Sequence, residues 1–168
     1  MAKNSNLTEA KKNKNDEFYT TKNSLEDELG KNLSYRKSFE GKVVLMNCDD
    51  PEWSEFWKFF VRYFHVFKLK KIISTHYNAD GTPSYKLEWD GSMIGGTTVN
   101  MIKTPLVGNG DFESPECVAL LQEADIVCTN PPFSIAREKF IPLLYEYKKQ
   151  FLIIGDLNWI TYKDIFPK

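Results

Sequence analysis

The sequence predicts an α/β protein with a mostly parallel sheet, and three observations predict it. Short apolar runs of strand length alternate with stretches of helical character from residue 39 onward. Two of these runs, 124–129 and 151–154, are almost wholly apolar, as expected of strands covered on both faces. Asn, Asp, Gly and Pro gather where the runs end, and parallel sheets bind their ligands at strand carboxyl ends.

Each element has its own warrant. Residues 1–15 are polar, with Lys3, Lys11, Lys12 and Lys14 against Glu9, and read as a disordered arm. Residues 42–47 form a first strand. Asp50 and Pro51 suit the N-cap and first position of the aromatic helix that follows. Trp53, Phe56, Trp57, Phe60 and Phe64 share one helical face, and the apolar pattern runs almost all round, so the helix is expected to be covered on more than one side. Residues 71–77 give a second strand. The polar stretch 78–104 is expected to hold a hairpin with residues 84–89 as one arm. A third strand near Leu106 and Val107 leads into Gly108–Phe112. Ser114 and Pro115 cap a short helix through Glu123. Strand 124–129 follows, then a helix over 134–149 interrupted by Pro142, then strand 150–155. The count is five parallel strands, with no internal repeat.

Composition narrows the class. The chain has 168 residues, 42% hydrophobic and 27% charged, with a net charge of -1, as in one ordinary globular domain. Such a balance argues neither for nor against a nucleic-acid partner, because a local basic face disappears in the sum. No apolar run reaches membrane-spanning length and the N-terminus lacks a signal peptide's apolar core, so a cytoplasmic location is expected. Cys48, Cys117 and Cys128 form no Cys-x-x-Cys pair and read as free thiols. His65 and His76 lie far from any cysteine cluster, so no metal site is expected. Cys128 reads as a small buried residue and not a nucleophile.

The most informative segment is Asn130-Pro131-Pro132-Phe133, at the end of strand 124–129. It suits methylation of a planar amino nitrogen, a poor nucleophile because its lone pair is delocalised. The Asn130 side-chain oxygen and the Pro131 carbonyl can accept from the two N–H groups of such an amine. Successive prolines stiffen the turn, so both acceptors are preorganised. Phe133 offers a face for a flipped-out base. Against this, Asn-Pro and Pro-Pro are also ordinary turn signals, and context decides.

The context is a set of blocks in one order: residues 16–20, 47–51, 108–112, 129–134, 151–154 and 160–163. The set resembles the adenine-specific DNA methyltransferases related to the EcoRI modification enzyme, over about residues 14–166. The resemblance implies a Rossmann-like S-adenosylmethionine-dependent methyltransferase fold, with N6 of a flipped adenine in double-stranded DNA as acceptor. It implies that Tyr19 and Thr20 help hold the donor's amino-acid end. Cys48, Asp49, Asp50 and Pro51 would form the loop under the donor, Asp111 would accept from its adenine amino group, and Phe112 would pack on that ring. Asn130, Pro131, Pro132 and Phe133 would take the target base. Each acid has a plainer reading, as a helix cap for Asp49 and Asp50 and a turn residue for Asp111.

Two departures qualify the resemblance. No Gly-x-Gly loop follows the first strand, and no acid follows the second, where His76-Tyr77-Asn78 stand, so the ribose contact is unassigned. The family's chains also continue past the fifth strand, so the expected fold is C-terminally incomplete. It divides into an arm and donor-binding lead-in over 1–38 and a partial methyltransferase domain over 39–168. A companion restriction endonuclease is a further expected partner. The alternatives are methylation of an RNA base or a protein glutamine amide, which also present a planar NH2, or an inactive remnant.

Overall fold

The computed structural model describes residues 25–31, 34–155 and Trp159. Its centre is a six-stranded sheet built from β1 (Val43–Met46), β2 (Lys71–Thr75), β3 (Tyr85–Trp89), β6 (Ile102–Pro105), β7 (Ile126–Thr129) and β8 (Gln150–Ile153), in the order β6-β3-β2-β1-β7-β8. β1, β2, β7 and β8 pair in parallel, whereas β3 runs antiparallel to both β2 and β6. The α/β class with a mostly parallel sheet is thus observed, with four parallel strands where five were expected.

The difference lies in the third strand. Leu106 and Val107 lie beyond β6, and Val107 is 92% exposed. The chain instead folds back on β2 through β3, the expected hairpin arm, and β6 extends the same meander at the sheet edge. Between them β4 (Met93–Ile94) and β5 (Thr97–Thr98) form a small hairpin. Gly95 and Gly96, with φ of 58° and 81°, supply the two left-handed positions its tight turn needs.

Strand alternation sorts the core into two layers. Val44, Met46, Ile72, Ile126 and Cys128 face one way, onto α2 (Glu55–Phe67) and Phe39 of α1 (Ser34–Phe39). Val43, Leu45, Ile73 and Val127 face the other, onto Leu120 and Leu121 of α3 (Pro115–Glu123) and onto Phe140 and Leu144. Both faces are covered, which is why these strands carry apolar side chains on both sides. Leu25 and Leu29, in and beside a π-helical turn at Glu26–Gly30, also enter the first layer. β8 is only half-buried, not the fully buried strand expected of its sequence, because among the described residues it pairs on one side alone.

Helix ends follow local chemistry, with one exception. Ser114 caps α3, accepting from the Cys117 N–H at 3.3 Å, with proline in the first turn, as expected. The aromatic helix begins later than expected. Ser54 is its N-cap and accepts from the Phe56 and Trp57 N–H groups at 3.1 and 3.5 Å. Asp50 to Trp53 form a separate turn, in which the Asp50 carbonyl accepts from the Ser54 N–H at 2.8 Å. Trp53 therefore leaves the buried helical face and is 60% exposed. Its expected facial partners Phe56, Trp57, Phe60 and Phe64 are buried, and so are Phe59 and Phe67, so the helix is covered broadly.

The helix after β7 is broken near Pro142. A short α4 (Phe133–Ile135) passes into a π-helical turn at Ala136–Phe140 and then α5 (Ile141–Glu146). The Ile141 N–H reaches back to the Ala136 carbonyl, an i→i−5 bond that widens the turn just before the proline. Among the described residues no helix is long and apolar enough to cross a membrane.

Candidate active site

The site forms where the strand order reverses. From β1 the sheet grows to β2 on one side and to β7 on the other, so the loops at their carboxyl ends part and leave a crevice. A cavity of about 270 Å³ opens there. Its polar wall carries Asn47, Cys48, Asp50, Thr75 and Asp111, and its apolar wall carries Trp53, Tyr77, Phe112, Pro132 and Ile135.

Gly110 brings Asp111 and Phe112 to this wall. With φ at 85°, it lies so close to β2 that an added Cβ would sit 2.0 Å from the His76 carbonyl oxygen. Asn78 and Asn109 tie the same two loops together, the Asn78 N–H donating to the Asn109 carbonyl at 2.8 Å. Phe112 is buried and meets Phe140 edge-on, with ring centroids 5.2 Å apart. Asp111 accepts from the Glu113 N–H at 2.9 Å.

The two acids after β1 behave differently. Asp50 lines the cavity. Its Oδ1 accepts from the Glu52 N–H at 2.8 Å, and its Oδ2 lies 2.5 Å from His76 Nδ1. His76 in turn stacks on Tyr85 and places Nε2 2.9 Å from Asn78 Oδ1. Asp49 points into the protein and is absent from the cavity wall. It accepts from Ser54 Oγ at 2.8 Å, Thr129 Oγ1 at 2.5 Å and the Asn130 N–H at 2.9 Å. Burial pushes its carboxyl group above the usual range, and the bonds from Thr129, Ser54 and Asn130 oppose that shift. Thr129 Oγ1 also accepts from the Cys48 N–H at 3.0 Å. One carboxylate thus locks the β1 loop, the cap of α2 and the backbone entry to Asn130.

Of the residues singled out from sequence, Cys48, Asp50, Asp111, Phe112 and Pro132 line the cavity together. Asp49, Pro51 and Pro131 are buried beside it, and Asn130 and Phe133 follow on the β7 side. Phe133 meets Trp159 edge-on at 5.5 Å, in a small cluster with Ala136 and Ile141. Tyr19 and Thr20, like residues 156–158 and 160–168, lie outside the described residues. Cys128 is fully buried in the core, where burial pushes its thiol far up, consistent with a packing role.

Sequence reasoning missed Asn47, Trp53, Thr75, Tyr77 and Ile135 as cavity residues. Asn47 and Tyr77 each carried a signal, being polar or aromatic at the carboxyl end of a strand. Trp53 carried none, since its place depends on where α2 begins.

The family described as adenine-specific methyltransferase EcoRI matches residues 6–168. The chain belongs to this family. It is 45% identical over 157 residues to Type II methyltransferase M.MpnI of Mycoplasma pneumoniae, covering 94% of this chain and 46% of that protein. It is 42% identical over 175 residues to Type II methyltransferase M.EcoRI of Escherichia coli, covering 98% and 52%. Against Type II methyltransferase M.MgeORF184P of Mycoplasma genitalium it is 40% identical over 157 residues, covering 94% and 46%. The chain therefore spans about half the length of these relatives. No solved structure gives a significant match.

Proposed function

We propose that this chain is the catalytic-motif portion of an adenine-N6 DNA methyltransferase that uses S-adenosylmethionine. The observation that carries the reading is the junction of two features at one switch point: the cavity lined by the carboxyl ends of β1 and β2 and by Gly110, Asp111 and Phe112, and the segment Asn130-Pro131-Pro132-Phe133 at the end of β7, whose Pro132 joins the same wall.

The residues fit the donor. The cavity offers two carboxylates, Asp50 and Asp111, to a cationic ligand, aromatic surface to a purine ring, and at Asn47 a buried amide that is unsatisfied among the described residues. S-adenosylmethionine supplies an electrophilic methyl group on a sulfonium. Cys48 and Asp50 lie along the donor, Asp49 and Pro51 support that loop from behind, and Asp111 and Phe112 hold the donor's adenine end. Tyr19 and Thr20, in the lead-in over residues 1–38, assist at the amino-acid end. Asn130 Oδ1 and the Pro131 carbonyl accept from the target amino group, which draws electron density toward the nitrogen. Phe133 packs on the target base. The bond from the Asn130 N–H to Asp49 keeps this motif in register with the donor loop.

The partner is double-stranded DNA with its target adenine turned out of the helix, and the working compartment is the cytoplasm. A companion endonuclease fits a modification role. The test is tritiated methyl transfer to duplex DNA by the protein expressed from its complete gene, with the product identified by nucleoside mass spectrometry. The expected product is N6-methyladenine. Label on RNA or protein, with none on DNA, would refute the DNA reading.

A further inference from the structure

Thr129 is the polar residue of β7, and it is fully buried. Ile126, Val127 and Cys128 before it pack into the two core layers, and valine would fit the last strand position with the same shape. A hydroxyl in such a place is costly unless it is bonded. Here it is bonded twice. Its Oγ1 donates to Asp49 Oδ2 at 2.5 Å and accepts from the Cys48 N–H at 3.0 Å.

The sheet explains why. The register of β1 on β7 runs from Val44 and Ile126 to Leu45 and Val127 and ends there. Beyond that rung the strands part to open the crevice, and side chains replace the backbone ladder. Asp49 Oδ2 accepts from the Asn130 N–H at 2.9 Å as well as from Thr129, so one oxygen holds the end of β7 and the start of the motif together. No glycine stands in the loop after β1, so glycine conformations do not shape it. Hydroxyls from the flanking strands hold it instead. From β2, Ser74 donates to the Asp49 carbonyl, and Thr75 donates to the Asn47 carbonyl at 3.1 Å. Those two bonds tie the loop to β2. Thr129 ties it to the residue before Asn130.

We infer that Thr129 is a positioning residue for methyl transfer, its hydroxyl setting the spacing between the loop after β1 and the side chain of Asn130. That spacing aligns the target amine with the donor methyl group. The inference rests on the roles given above to the donor loop and to Asn130. Thr129 is fully buried and does not line the cavity, so it acts through Asn130 and not on a ligand. A displacement of about 1 Å at a reacting centre can lower a rate about a hundredfold, so loss of this tie should appear in turnover before it appears in binding.

The test is a mutant cycle on the protein expressed from its complete gene. It reads kcat for tritiated methyl transfer to duplex DNA and, by calorimetry, affinity for S-adenosylhomocysteine. Thr129→Val keeps the shape and removes the hydroxyl. It should lower kcat by about tenfold or more and leave S-adenosylhomocysteine affinity within about threefold. Thr129→Ser keeps the hydroxyl on a smaller side chain and should hold kcat within about threefold of wild type. Adding Thr129→Val to Asn130→Ala should lower kcat by less than about twofold further, because the residue through which it acts is already gone. Each rate is read at a temperature where the variant's melting curve shows it folded. If Thr129→Val does not fold, Asp49→Asn replaces it in the cycle with the same expectations, since it weakens the same acceptor at the same size. Unchanged kcat, no recovery in Thr129→Ser, an equal fall in S-adenosylhomocysteine affinity, or full additivity with Asn130→Ala overturns the inference and leaves the methyltransferase reading standing. Wild-type turnover in Asn130→Ala overturns the role given to that side chain, and this inference with it.

Discussion

The two sides of the loop after β1 differ in how completely their polar groups are satisfied. Toward β7, Asp49 is buried and accepts from Ser54, Thr129 and the Asn130 backbone. Toward the cavity, Asn47 is equally buried but neither side-chain atom is bonded among the described residues, and Asp50 and Asp111 face the same space. Burial of a polar residue therefore does not distinguish the two sides; hydrogen-bonding capacity left unmet among the described residues does. The saturated side holds the architecture, and the unsaturated side, with Asn47, lines the cavity.

The largest expected effect sharpens the boundary between these regions. Asn130→Ala should lower methyl transfer by about a hundredfold or more, by analogy with removing one preorganised acceptor or donor at a reaction centre. Donor affinity should stay within about threefold, because the side chain is proposed to act only on the target amine. A comparable loss of donor affinity, measured by calorimetry, would place Asn130 on the donor side.

Asp49→Ala breaks the saturated side. It leaves the Ser54 and Thr129 hydroxyls and the Asn130 N–H without their buried acceptor, and should reduce stability by about 2–3 kcal/mol in urea unfolding. The pH dependence has a definite sign. Burial raises the folded-state pKa of Asp49 above its unfolded value. Its contribution to stability is complete below the ordinary carboxylate range and is lost as pH rises through the raised value. Asp49→Asn should remove that part of the decline. A wild-type profile that instead gains stability over this window would contradict the assignment.

Asp111→Ala probes the unsaturated side. Losing a charged acceptor should weaken donor binding by about tenfold while the ligand-free melting temperature barely moves. A large fall in melting temperature would mean that Asp111 serves the loop and not the ligand.

The smallest effect belongs to Trp53. It is 60% exposed, so Trp53→Ala should change stability by less than about 0.5 kcal/mol. Because it lines the cavity, its fluorescence should respond to donor, and the variant should lose that response.

Where a rule is local, the sequence was readable. Ser114 and Pro115 announce α3, Pro142 announces the break before α5, and residues 126–129 announce a buried strand that ends in Asn-Pro-Pro-Phe. Each depends on a few adjacent residues and on the geometry that proline or a capping hydroxyl imposes. The third strand was misplaced because pairing partners, not the apolar run at Leu106 and Val107, decide which segment joins the sheet edge. The start of α2 was misplaced because Ser54 competes with Asp50 for the cap and also donates to Asp49, a contact no local pattern records.

By itself the sequence determined the α/β alternation, the family and the order of the strand-end motifs, all of which are carried by residue type and spacing. The tertiary structure alone decided which of two adjacent acids faces the cavity. Asp49 and Asp50 are chemically identical, and their roles separate only when β7 and α2 deliver three hydrogen-bond donors to one, while β2 brings His76 to the other at the cavity wall. That choice rests on contacts between residues up to 81 positions apart, which no reading of neighbouring residues contains.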